Sequence, residues 1–134
     1  MTNRRILELY YGSLVVVILA ACNREAVPLI APAQLSPATE TVFNTFPRKT
    51  NFVWTRVPGA AAYGVEVEPY CPEKAMWCGE AGATGLVYVA LGIKDTVHTF
   101  EHVGAQPGRW RVWAVDAAGT SGPKTGWWQF DYTR

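Results

Sequence analysis

The chain has 134 residues, 12 Lys and Arg against 11 Asp and Glu, and a formal net charge of +1. That balance argues against a nucleic-acid-binding role, which shows as a basic excess on one face. The length fits one domain with a modest core and leaves no room for a second.

The first element is a leader. Arg4 and Arg5 precede an apolar run that Glu8 interrupts before Leu14 to Ala21. A bilayer span takes about 20 apolar residues, so the uninterrupted stretch matches the apolar core of a secretory signal instead. Leu19-Ala20-Ala21-Cys22 then resembles a bacterial lipobox. The resemblance implies that residues 1–21 are removed and that Cys22 becomes an acylated N-terminus. A single acyl chain anchors only marginally and stable attachment needs two or more, which a processed lipoprotein carries. Asn23 is not the Asp that resembles an inner-membrane retention signal, so the expected location is the cell envelope, and the outer membrane in a two-membrane source. Residues 22–28 read as the acylated N-terminus and a short linker, and residues 29–134 as the domain. Extended, "NREAVP" reaches about 20 Å, which keeps the domain near its membrane. Without Arg4, Arg5 and Glu8 the mature chain has equal numbers of basic and acidic side chains.

From Pro28 onward, short apolar runs alternate with Gly, Pro, Asn and Asp, and no apolar stripe of helical period exceeds two turns. Strands are predicted near 28–33, 51–57, 62–69, 85–91, 96–102, 109–116 and 126–132, with 41–48 as an edge segment that tolerates Pro47. Tyr63, Val65 and Val67 share one face of the third strand, opposite Gly64, Glu66 and Glu68. In the sixth, Trp110, Val112 and Ala114 oppose Arg109, Arg111 and Trp113. One face of each strand is apolar and the other polar, as in an antiparallel sheet packed on one side. The expectation is an all-β, two-sheet antiparallel sandwich of about seven strands.

"FVWTRVPGAAAYGVEVE" and "GRWRVWAVDAAG" resemble the Trp-bearing second strand, the Tyr-led third strand and the sixth strand of fibronectin type III-like domains. The likeness spans about residues 29 to 132. It implies a scaffold for binding or spacing, with Trp54 and Trp110 in the core. Gly108 stands where the family places its corner tyrosine, two residues before Trp110.

The polar residues offer little chemistry. Ser121 lies in "AAGTSGPKTG", a turn-rich loop without the strand-to-helix elbow of a serine nucleophile. Glu66 and Glu68 could form a glycosidase pair. In this fold, however, they should face Arg109 and Arg111 on the neighbouring strand as cross-strand ion pairs. Cys71, Cys78, His98 and His102 follow the order of a zinc motif, but six residues separate the cysteines. Two histidines four apart on a strand lie about 13 Å from each other. "CGEAGATG" lacks the Lys-Ser/Thr ending of a phosphate loop. No catalytic residue, metal site or cofactor is therefore expected. Cys71 and Cys78, an even pair in an exported chain, are expected to form a disulfide.

The aromatic residues carry the remaining functional signal. Trp128, Phe130 and Tyr132 should alternate inward on the last strand, which gives Trp113 and Trp127 the outward parity on adjacent strands. Trp77, in the disulfide loop, is a third candidate for a ligand platform. Exposed flat aromatics stack on sugars or anchor protein partners because they supply large contact area at low entropic cost. Loops or the 70–85 connection could instead cover them. The expected function is a membrane-anchored, non-catalytic module for protein interaction or a structural role at the envelope, with carbohydrate binding through the tryptophans as the alternative.

Overall fold

A computed structural model describes residues 27–134. The leader 1–21, Cys22 and most of the 22–28 linker lie outside the described residues. Nine strands run through the rest: β1 Gln34–Ser36, β2 Thr41–Phe43, β3 Lys49–Trp54, β4 Ala62–Cys71, β5 Met76–Trp77, β6 Tyr88–Ile93, β7 Val97–Glu101, β8 Pro107–Val115 and β9 Trp128–Tyr132. They form two sheets. The smaller has the order β1-β3-β7; the larger has β2-β9-β8-β4, with β6 and the short β5 both paired to the far side of β4. Among the described residues no helix is long and apolar enough to cross a membrane.

The apolar faces of the two sheets close on each other. Phe52 and Trp54 from β3 meet Tyr63, Val65 and Val67 from β4, Trp110, Val112 and Ala114 from β8, and Phe130 and Tyr132 from β9. The period-two pattern of β4 and β8 thus sets the core, as alternation requires. Rings dominate it: Phe52 lies 4.7 Å from Trp110, and Trp54 meets Tyr63 edge-on at 5.6 Å. The polar ends of its tyrosines are satisfied locally. The Val57 N–H donates to the Tyr63 hydroxyl at 2.9 Å, and the Tyr132 hydroxyl bonds that of Thr50 at 2.6 Å.

The observed strands depart from the expected ones at the edges. The first ladder starts at Gln34, not within 28–33, because Pro28 and Pro32 have no N–H to contribute. The edge segment expected at 41–48 narrows to β2, which pairs in parallel with β9 through Thr41 opposite Phe130 and Phe43 opposite Tyr132. The strand expected at 85–91 starts three residues later, at Tyr88. Between β4 and β6, the Cys71–Cys78 disulfide closes a small hairpin that includes β5, with the Cα atoms 5.1 Å apart. Gly108 is accounted for by packing. A Cβ there would press into the Phe130 and His102 rings, so this corner is filled by neighbouring aromatics in place of a tyrosine.

Candidate functional site

The outer face of the larger sheet is built from the residues that alternate away from the core. On β4 these are Gly64, Glu66 and Glu68; on β8 they are Trp113, Arg111 and Arg109, directly opposite in register. The expected cross-strand pairs form. Arg109 meets Glu68 through Nε at 2.9 Å and Nη2 at 2.8 Å, and Arg111 Nε meets Glu66 at 2.6 Å. Lys124, from the β8–β9 loop, adds a second cation to Glu66 at 3.2 Å. Burial pushes the Glu66 carboxyl upward, but hydrogen bonds and charge from Arg111 and Lys124 outweigh it and hold the group below its ordinary value. Glu68 is nearly sealed, and its other oxygen accepts the Gly79 N–H at 2.6 Å, which ties the sheet face to the turn after Cys78.

The tryptophans stack on these cations. The Arg109 guanidinium lies 4.5 Å from the Trp77 ring centre and 4.5 Å from that of Trp127, and Arg111 lies 4.1 Å from Trp127. Trp77 reaches this position because β5 is held beside the end of β4, and Trp127 because it immediately precedes β9. Each guanidinium therefore presents its edge to a carboxylate and its face to an indole, the two modes that its planar shape allows. Both tryptophans are half-buried.

Trp113 has the outward parity expected of it but not the exposure. Only 5% of it is accessible. Its indole lies against Gly64 so closely that a Cβ at residue 64 would overlap the ring, and the Lys124 ammonium covers it at 4.5 Å. The expectation of an exposed Trp113–Trp127–Trp77 platform is corrected to this extent: Trp77 and Trp127 converge on Arg109, while Trp113 belongs to a second, outer core between the sheet and the 120s loop. That loop is fixed by Asp116 Oδ1, which accepts the Ala118 and Thr120 N–H groups, and by the Thr125 hydroxyl, which accepts the Val112 N–H. The role of Arg109 and Arg111 as stacking partners was missed from sequence, although Arg-x-Arg-x-Trp on an outward-facing strand was a usable signal.

The other candidate chemistry is dispersed. Cys71 and Cys78 are bonded to each other and have no thiolate to offer a metal. His98 on β7 pairs with the Tyr88 hydroxyl at 3.2 Å, whereas His102 is buried beyond the end of β7 with its Nε2 3.1 Å from the Gln106 carbonyl. Among the described residues no three metal-ligating side chains cluster. Ser121 bridges back to Val115 in the loop after β8.

Comparison with protein-family models finds no match, and comparison with curated proteins finds none. Among the solved structures that are similar, two serve for comparison. One is a Fn3-like protein from Clostridium thermocellum, with a TM-score of 0.53 and 19% identity over 81% of this chain and 97% of that one. The other is the fn3 domain of the human collagen alpha-1(XX) chain, with a TM-score of 0.53 and 15% identity over 84% of this chain and 93% of that one. Together with the strand order, these likenesses establish a fibronectin type III-like fold.

Proposed function

We propose that the protein is a non-catalytic lipoprotein of the cell envelope, anchored through Cys22, whose β-sandwich serves as a protein-interaction or structural module. The anchoring rests on the order of basic residues, apolar run and Leu19-Ala20-Ala21-Cys22. The observation that carries the interaction reading is the rigid outer face on which Trp77, Arg109, Trp127 and Arg111 interlock. Trp and Arg are the residues that most often dominate protein interfaces, and side chains already ordered lose little entropy on docking. Carbohydrate stacking needs a free aromatic face, and here Trp113 is covered while guanidinium groups lie over Trp77 and Trp127. The burial pattern therefore favours a protein partner over a glycan.

Two measurements test the two halves. Cells fed an alkyne-bearing fatty acid should label the wild-type chain and not Cys22→Ala, which should also keep its leader; an unlabelled wild-type chain with Met1 intact refutes the anchor. A photo-crosslinker at exposed Gln129, next to the column, should trap one discrete protein adduct in intact envelopes. The same crosslinker at Thr99, on the opposite sheet, should not. Equal patterns from both sites, or binding to a glycan array that Trp127→Ala abolishes, would reject the protein-interaction reading.

A further inference from the structure

One end of the sandwich gathers the start of the described chain and three turns. Leu29 packs between Gly59, in the β3–β4 turn, and Gly122, in the β8–β9 loop. The Ala61 N–H donates to the Val115 carbonyl at 2.8 Å, which closes the β3–β4 turn onto the end of β8. The β6–β7 turn joins them through Lys94, whose Nζ lies 3.5 Å from the Ala61 carbonyl. From this end β4 runs from Ala62 to Cys71, so the disulfide hairpin marks the opposite end, about 30 Å away at the rise of a strand.

The two ends differ in surface chemistry. At the first, Val27 is 71% and Ile30 62% exposed, and Pro58, Ala117 and Ala118 are exposed on the turns. Both carboxylates here are turned to backbone N–H groups: Asp95 accepts from Thr96 at 2.7 Å, and Asp116 accepts from Ala118 and Thr120. Arg56 and Lys94, both exposed, have no carboxylate partner among the described residues. The opposite end exposes Glu73, Lys74, Glu80 and Glu101 instead.

We propose that the first end seats on a lipid surface, with Val27 and Ile30 in the boundary between headgroups and acyl chains and with Arg56 and Lys94 against lipid phosphates. This rests on the reading of Cys22 as the lipid anchor. Five residues separate Cys22 from Val27, a reach of at most about 18 Å, so the anchor brings this end to the bilayer and leaves the disulfide end in water. A tether this short gives an effective concentration of order millimolar, at which a contact too weak to recruit a free domain is populated. Exposed aliphatic groups beside cations are the composition that suits such an interface. The seated sandwich stands with β4 and β8 rising from the membrane, which places Trp77 and Arg109 on its distal half and leaves the Trp–Arg face open to a partner from the side.

The full chain, reconstituted in vesicles of phosphatidylethanolamine and phosphatidylglycerol, tests the seating. An environment-sensitive fluorophore carried by an unnatural amino acid at Ala118 should shift to the blue and be quenched by lipids spin-labelled near the headgroup. The same fluorophore at Lys74, beside the disulfide, should show neither effect. Val27→Ser with Ile30→Ser removes two exposed side chains, leaves acylation and the melting temperature unchanged, and should lower the equilibrium constant for seating about ten-fold, seen as lost quenching at Ala118. An acylated, vesicle-bound chain with no quenching at Ala118, with equal quenching at Ala118 and Lys74, or with quenching that the double variant leaves intact overturns the seating and spares the anchor. A chain whose mass shows no acyl group and which floats free of the vesicles overturns the anchor, and the seating with it.

Discussion

Trp113→Ala should destabilise the domain by about 3 kcal/mol, although the residue lies on the outer face of a sheet. An aromatic side chain of this kind buries upwards of about 150 Å², worth about 4 kcal/mol at 25 cal/mol/Å² as an upper bound. Loss of the Lys124 contact adds about 1 kcal/mol. Water can fill the space under the 120s loop, so no sealed void remains, and the cost falls below that of an enclosed cavity. Gly64 supplies the sharper test. A Cβ at this position would overlap the indole, so Gly64→Ala should cost about 2 kcal/mol in the wild-type background. With Trp113→Ala already present, the obstruction is gone, and the same change should be neutral or stabilising by about 0.5 kcal/mol, the usual advantage of Ala over Gly in a strand. Urea denaturation of the four chains gives a double-mutant cycle with a coupling of about 2 kcal/mol. If Gly64→Ala costs the same in both backgrounds, the indole does not rest on Gly64 and the outer-core reading is wrong.

Removing the disulfide by Cys71→Ser with Cys78→Ser releases an eight-residue loop, and the chain-entropy relation gives a loss of about 2.5 kcal/mol, measurable as a lower Tm that matches the reduced wild type. Arg109→Lys keeps the charge opposite Glu68 but loses the planar stack between Trp77 and Trp127, so stability should fall by about 1 kcal/mol and the near-ultraviolet circular dichroism of the indoles should change. His102 and His98 both have pKa values lowered by burial; for His102, Arg48 lowers the value further, while the Gln106 and Pro107 carbonyls and Asp131 oppose the shift. Their contribution is complete above the unfolded imidazole value of about 6.5 and is lost as pH falls through the folded values. Denaturation midpoints should therefore drop below about pH 6.5 in the wild type and drop less in His102→Phe. Glu66, also lowered, adds a further loss only below the ordinary carboxylate range.

Much of the fold was legible in the sequence because alternation is a local property. The parity of Tyr63, Val65 and Val67 against Glu66 and Glu68, and of Trp110 and Val112 against Arg109 and Arg111, determined which side of each strand would be dry. Once β4 and β8 were read as neighbours, the Glu–Arg pairs followed. The nearness of Cys71 to Cys78 pointed to their bond. Pairing partners at the edges were not local: the parallel match of β2 with β9 joins residues some ninety positions apart, and nothing in "TVF" specifies it. Exposure was the other quantity that parity could not supply. Trp113 and Trp127 share an outward direction, yet a side chain that leaves the sheet meets whatever the loops place above it. The 120s loop brings Lys124 over Trp113, and the absent Cβ of Gly64 lets the indole lie flat. Two arginines are drawn to Trp127, and the disulfide hairpin carries Trp77 to the far side of Arg109. A pocket beside His102 is likewise a product of assembly, since its walls come from three strands and the loops between them. Sequence alone determined the central strands and their two faces, because side-chain direction in a strand depends only on position; tertiary structure decided the edge strands and which outward groups are covered, because pairing and cover come from chain segments distant in sequence.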